Sequence, residues 1–185
     1  LTNEFWRFRR VEITENATLS IIGAGANLGS VIGEGTIKLQ DNSNFPAGDY
    51  DDFFPDNTCS GGGGVEYAVS AGTQTVLSLL PNLRRVIFSG DGDKEFSDFV
   101  STNICEDVEI RDNGRVTFND NVLVQIKGDL IKDNTATFDG DYNNTQIIFD
   151  GSTQQAIDGD FTGIQFLKNV ELNNSAGLTI INPND

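Results

Sequence analysis

The sequence predicts an all-β fold, a right-handed parallel β-helix (β-solenoid) with about 20–22 residues per coil. Three observations point to it. Short runs with apolar residues at alternate positions recur along the chain, the period-2 mark of a half-buried strand. One eleven-residue figure returns, as VEITENATLSI at 11–21, VEIRDNGRVTF at 108–118 and VELNNSAGLTI at 170–180, with VIFSGDGDKEF at 86–96 as a looser copy. Each is an apolar-x-apolar strand, a turn of Asn, Ser, Gly or acid, and a second strand. So small a unit cannot cover its own apolar face and must stack on copies of itself. The spacing of these figures is also nearly constant. Val86 to Val108 is 22 residues, Ile110 to Ile131 is 21, and Val108 to Val170 is 62, close to three such coils. Successive coils then pair in parallel about 4.8 Å apart. Val, Ile, Leu and Phe form the inward ladders, and Asn, Asp and Gly stack at the turns. The rival reading is an antiparallel β-sandwich, which also has short strands with turn signals about every 8–12 residues. The recurrence of whole coils favours the solenoid.

The 185 residues are read as a single solenoid segment, and a first residue of Leu fits a processed product or a piece of a larger protein. The first ten residues, LTNEFWRFRR, read as a capping or lead-in segment that shields the open end of the stack. Residues 11–39 alternate short strands with glycines at 23, 25, 29, 33 and 35. GAGANLG at 23–29 has the glycine spacing of a phosphate-cradling loop. Strands flank it on both sides where that loop needs a following helix, so no nucleotide site is read there. Residues 41–64 have no regular period, two prolines and several aspartates. They read as a long acidic loop leaving the stack, pinned back by Phe45, Phe53 and Phe54. Further on, 65–89 and 147–173 look like two copies of a compound segment. Gln74 and Val76 align with Gln155 and Ile157, and Val86 and Phe88 with Val170 and Leu172. Between the copies, 108–139 carries VEI, RVTF, VLVQI, DLI and TATF, the strands of further coils.

A formal charge of −16, from 28 acids against 12 Lys and Arg, repels nucleic acid and anionic membranes. No run of 18 apolar residues is present, so membrane insertion is not expected. The chain has no His, which excludes a Ser-His-Asp triad and a Cys-His dyad. With two cysteines and no His, zinc sites of the usual type are excluded as well. Cys59 and Cys105 are either a disulfide or two buried thiols. The acids sit mainly in turns, and Trp and Tyr are scarce for a sugar cleft, so the chain reads as non-enzymatic, with no catalytic residue and no certain cofactor. Three Asp-Gly-Asp triplets, Asp91 with Asp93, Asp139 with Asp141, and Asp158 with Asp160, are candidate calcium ligands. Two such turns, if stacked, would crowd four carboxylates that a hard cation relieves. Thr135 and Thr137 form a Thr-x-Thr pair, but no row recurs from coil to coil, so ice binding is set aside.

The order of features resembles the repeats of large secreted surface proteins of Bacteroidetes-type bacteria. GVEY at 64–67 is followed by QTV at 74–76, NLRRV at 82–86 and SGDGDK at 89–94. A later copy runs from Phe149 through QAI at 155–157 to NNSAGL at 173–178, and GEGTIKL at 33–39 leads to Phe45 and Pro46 in the same way. The resemblance covers about 150 residues and marks a repeat rather than an activity. The Arg-rich start and the two cysteines depart from it. It implies export by the type IX secretion system and an extracellular place on the bacterial cell surface, as in adhesins, including those of gliding motility. The implied partners are neighbouring repeats of the parent chain, secretion or surface-attachment machinery, and surface polysaccharide or another protein. The function expected is therefore a stiff stalk that presents loops. The alternative is a carbohydrate-binding or carbohydrate-cleaving β-helix.

Overall fold

The computed structural model describes residues 7–23, 26–42, 45–54, 58–76, 82–97, 101–140, 144–161, 167 and 169–181. Its first strands are β1 (Arg10–Ile13), β2 (Thr18–Ile21), β3 (Asn27–Gly33), β4 (Thr36–Leu39), β5 (Ala47–Asp49) and β6 (Gly64–Tyr67). The middle of the chain holds β7 (Thr73–Val76), β8 (Asn82–Leu83), β9 (Val86–Phe88), β10 (Asp93–Phe96), β11 (Ser101–Ile104), β12 (Val108–Ile110) and β13 (Arg115–Phe118). Then come β14 (Leu123–Ile126), β15 (Leu130–Lys132), β16 (Thr137–Asp139), β17 (Gln146–Phe149), β18 (Gln155–Asp158), β19 (Val170–Leu172) and β20 (Leu178–Ile181). Among the described residues there is no helix.

The strands form a β-solenoid of about seven turns. Its spine is one eight-stranded sheet, β2-β4-β6-β9-β12-β15-β18-β20. From β6 to β18 the chain runs from the spine to a four-stranded sheet (β7, β10, β13, β16), then to a five-stranded sheet (β8, β11, β14, β17, β19), and back; β19 and β20 then follow on the five-stranded sheet and the spine. Before β6 it alternates between the spine and a three-stranded sheet of β1, β3 and β5. Among the described residues every strand pairing is parallel, whereas a sandwich of antiparallel sheets would need antiparallel neighbours.

The predicted coil length holds in the middle of the stack. Val86 pairs with Val108 and Val108 with Leu130, 22 residues apart each time. Towards the ends it varies: Leu19 to Ile37 is 18, Ile37 to Val65 is 28, and Leu130 to Ile157 is 27. The strands keep register because the inward ladder must; the surplus residues go into the corners.

The inward faces of the strands build one apolar core. Ile37, Val65 and Val86 are wholly buried on the spine, with Val108, Leu130 and Ile157 continuing the same column. Phenylalanines stack on one another inside. Phe96, Phe118 and Phe138 meet edge to face, 4.5 and 5.0 Å between centroids, and Phe88 and Phe161 extend the row. Gly33, at φ 109°, lies where a Cβ would stand 2.1 Å from the Ile13 carbonyl oxygen, so only glycine lets those backbones meet.

Three details of the repeat differ from the sequence reading. The eleven-residue figure is a strand-corner-strand unit used at more than one corner. At 86–96 and 108–118 it leaves the spine, whereas at 11–21 and 170–180 it enters it. The two Gln-x-apolar segments likewise fall on different sheets, Gln74 on the four-stranded sheet and Gln155 on the spine. Finally, Ile110 pairs with Lys132, not Ile131, so Ile131 turns outward and Lys132 inward. Apolarity alone assigned the faces in sequence, and here a lysine holds the inward position.

Candidate functional site

The inward polar residues sit where the coil turns. At a corner the inward side chains add donors to the buried carbonyl groups, some of which, those of Leu39, Val69 and Ile126, also accept a backbone N–H. Gln74 reaches back one coil and donates from Nε2 to the carbonyls of Leu39 and Asp41, at 3.4 and 2.8 Å. Gln155 repeats this at another corner, donating to the carbonyls of Ile126 and Gly128. Lys94 is fully buried and donates to the carbonyls of Gly90 (2.5 Å), Gly92 (2.8 Å) and Val69 (3.3 Å). Burial pushes its ammonium down to about 8, against the pull of Asp93 and Asp91. Lys132 serves the carbonyls of Asp133 and Ala136, and burial lowers its pKa too. The recurrent glutamine was visible in the sequence as a repeat mark; the lysines gave no such signal.

The corner acids bond the next coil. Asp107 accepts the backbone N–H of Asp129, and Asp129 accepts that of Ala156, both at 2.7 Å. Asp133 accepts the N–H of Asp112 from the preceding coil, together with those of Thr135 and Ala136. Burial raises the pKa of Asp133, but the donors from Thr135, Asp112 and Ala136 outweigh it and hold the carboxyl below its ordinary range. On the outer face of the spine, Glu66 accepts from Lys38 (2.7 Å) and Ser89 (2.6 Å). Desolvation pushes Glu66 up; Lys38, Ser89 and Arg111 pull harder, so it too stays below its ordinary value. Asn103 bonds Asn82, and Asn144 bonds Asn121, each at 3.0 Å across one coil.

Segment 41–64 is attached to the stack at several points. β5 adds to β3, and Phe53 is fully buried in the core. Phe54, half-buried, packs edge to face on it, and the half-buried rings of Phe45 and Tyr50 pack on Phe54 and on each other. Tyr50 donates to the Pro46 carbonyl, and burial pushes its phenol up to about 12. Asp49, Asp51 and Asp52 point to solvent. Cys59 and Cys105 form a disulfide with Cα atoms 5.4 Å apart. Cys59 precedes β6 and Cys105 precedes β12, with β9 between these strands in the spine, so the bond ties a coil to the next but one. Beside it, Arg84 donates from Nε to Glu106 (2.6 Å) and from a terminal nitrogen to Glu34 and the Gly62 carbonyl (3.3 Å each). Arg84, Glu34 and Glu106, with Glu15, Asn16, Thr36, Gly64 and Arg85, line a polar groove of about 180 Å³.

The candidate calcium acids fall apart in space. Asp93 pairs in register with Thr73 and Arg115 and forms an ion pair with Arg115 at 3.0 Å. Asp139 lies opposite Thr117 at the end of β16, and Asp158 lies between Ile131 and Ile181 on the spine. Asp91 is exposed at the corner before β10, and Asp160 follows β18. Asp141 lies outside the described residues. Among the described residues, Asp91, Asp93, Asp139, Asp158 and Asp160 do not stack as pairs of triplets, and no three His, Cys, Asp or Glu side chains are grouped to hold a metal ion. Phe5 and Trp6 of the expected cap also lie outside the described residues. No family model, curated protein or solved structure matches the chain.

Proposed function

We propose that the chain is a non-enzymatic, right-handed β-solenoid segment of a bacterial cell-surface protein, a stiff spacer that presents its corners and segment 41–64 to a partner. The observation that carries this reading is where the corner side chains point: Asp107, Asp129, Asp133, Gln74, Gln155 and Arg84 bond one coil to another along the axis. Groups used this way resist sliding and bending of coil on coil. The right-handed sense follows the rule for connections between parallel strands. The disulfide supports an extracellular place, since such bonds persist in oxidising compartments. The resemblance to type IX-secreted adhesins supports the same location, with surface polysaccharide or protein as the partner.

The alternative, a carbohydrate-binding or carbohydrate-cleaving β-helix, would act in the groove of Glu15, Glu34 and Glu106 around Arg84. Incubation with a panel of polysaccharides, followed for bound sugar and released reducing ends, separates the two. No release is expected. Release abolished by Glu34→Gln or Glu106→Gln would overturn the spacer reading. Calcium stiffening is a variant of the spacer reading: melting in calcium and in chelator tests it, and an unchanged midpoint removes calcium from the proposal.

A further inference from the structure

The polar groove around Arg84 is kept open by a glycine. Gly64 lies on the spine in register with Thr36, and both line the groove. A Cβ on Gly64 would stand 3.1 Å from the Arg85 carbonyl oxygen and 3.6 Å from the Thr36 hydroxyl, so a side chain there would fill the space. Thr36 is only 7% exposed, yet among the described residues nothing in the fold bonds its hydroxyl. A hydroxyl buried without a partner costs free energy, and a ligand in the groove would supply one. Glu15 and Asn16 likewise make no side-chain bond among the described residues, and the second terminal nitrogen of Arg84 is unused. Arg85 reaches Glu109 at 3.8 Å.

These groups include both donors and acceptors, so they match a ligand that has both, as sugar hydroxyls do. Room suffices: a cavity of about 150 Å³ takes a six-membered carbon ring, and the groove measures about 180 Å³. Charge narrows the choice. Glu15, Glu34 and Glu106 outnumber Arg84 and Arg85 in a chain of formal charge −16, which repels acidic sugars and attracts a cation. A bare metal ion does not fit, because among the described residues no three acids are grouped to hold one. No aromatic ring is among the lining residues, so a methylated ammonium, which such rings recognise, is not matched either. A primary ammonium with its three N–H donors is matched. A lysine side chain would bring that ammonium on an apolar stem and leave the guanidinium N–H groups and Asn16 without partners.

We propose that the groove binds a hexosamine unit of a polysaccharide, a sugar whose amino group is free and protonated. Glu15, Glu34 and the Thr36 hydroxyl take the ammonium, and Arg84, Arg85 and Asn16 take the ring hydroxyls. With no aromatic ring to stack on, charge-assisted hydrogen bonds decide, so binding follows the ammonium rather than the sugar as such. The proposal rests on the reading that the corners face a partner, and it names that partner as an amino polysaccharide that is bound and not cleaved.

Calorimetric titration of the whole chain with chitosan oligosaccharides, and with the same oligomers fully N-acetylated, tests this in mildly acidic buffer. The two differ only in an ammonium against a neutral amide. The deacetylated oligomer should bind at least about tenfold tighter, the worth of one hydrogen bond to a charged group. Thr36→Val keeps the side-chain shape and Glu15→Gln its size. Neither side chain is bonded in the fold, so both variants should melt with the parent. Each should lose about tenfold in affinity for the deacetylated oligomer. A lysine peptide of equal charge should bind more weakly and not respond to Thr36→Val. Equal binding of the two oligomers by the parent overturns the proposal, whatever the variants do. A preference for the deacetylated oligomer that survives both variants also overturns it, since that marks general attraction to an acidic surface. A lysine peptide that binds as tightly as the oligomer and is lost in Thr36→Val overturns it in favour of a protein partner. These results leave the spacer reading standing; release of reducing ends is what overturns that reading.

Discussion

Lys94 carries a charge into the wall of the stack, and its three carbonyl partners explain why that is tolerated. Its pKa is about 8 in the folded chain and 10.5 ordinarily. Between those values the unfolded chain binds more protons than the folded one, so stability must rise with pH. Lys132, also lowered, adds to the same slope. Above pH 10 Tyr50 acts the other way: its folded pKa of about 12 exceeds the ordinary 10.0, so the unfolded chain loses that proton first and stability falls. The urea midpoint should therefore climb from about pH 8 to about pH 10 and then turn over. In Lys94→Met the climb should flatten, leaving the smaller share of Lys132. An equal climb in that variant would show that the ammonium is not the titrating group.

At the scale of the strand, β15 decides between the two faces. Leu130 belongs to the inward column with Val108 and Ile157, while Ile131 lies outward between Glu109 and Asp158. Leu130→Asp places an unpaired carboxylate in the apolar interior, a cost of several kcal/mol, and the chain should be unfolded by circular dichroism at room temperature. Ile131→Lys places a cation between two acids and should change stability by no more than about 0.5 kcal/mol. The reverse outcome would move the register by one residue. In the sequence this strand read ambiguously, since Leu130 and Ile131 are both apolar and the inward residue after them is a lysine.

At the scale of the molecule, the stack is held by neighbour contacts, and the disulfide is an exception that reaches past one coil. It closes a loop of sequence separation 46. Constraint of the unfolded chain by a loop of that size contributes about 4 kcal/mol in the chain-entropy account. Thermal melting with reductant should show a lower midpoint than without, and Cys59→Ala should match the reduced parent. A reduced protein that melts with the oxidised one would mean the coils alone hold segment 58–105.

The alternation of apolar residues, the turn chemistry and the recurrence near 22 residues were enough to define a stacked, parallel, all-β coil, because each is a local requirement of that fold. They could not assign corners. A strand-turn-strand figure has the same local chemistry wherever the coil bends, so only the stacked coils show that 11–21 and 170–180 enter the spine while 86–96 and 108–118 leave it. Nor could they separate the Asp-Gly-Asp turns, whose spacing along the chain carries no information about which coil each adjoins. The inward lysines were hidden for a related reason. Their place inside depends on carbonyl groups up to 25 residues away, and those oxygens converge only once one coil lies on another.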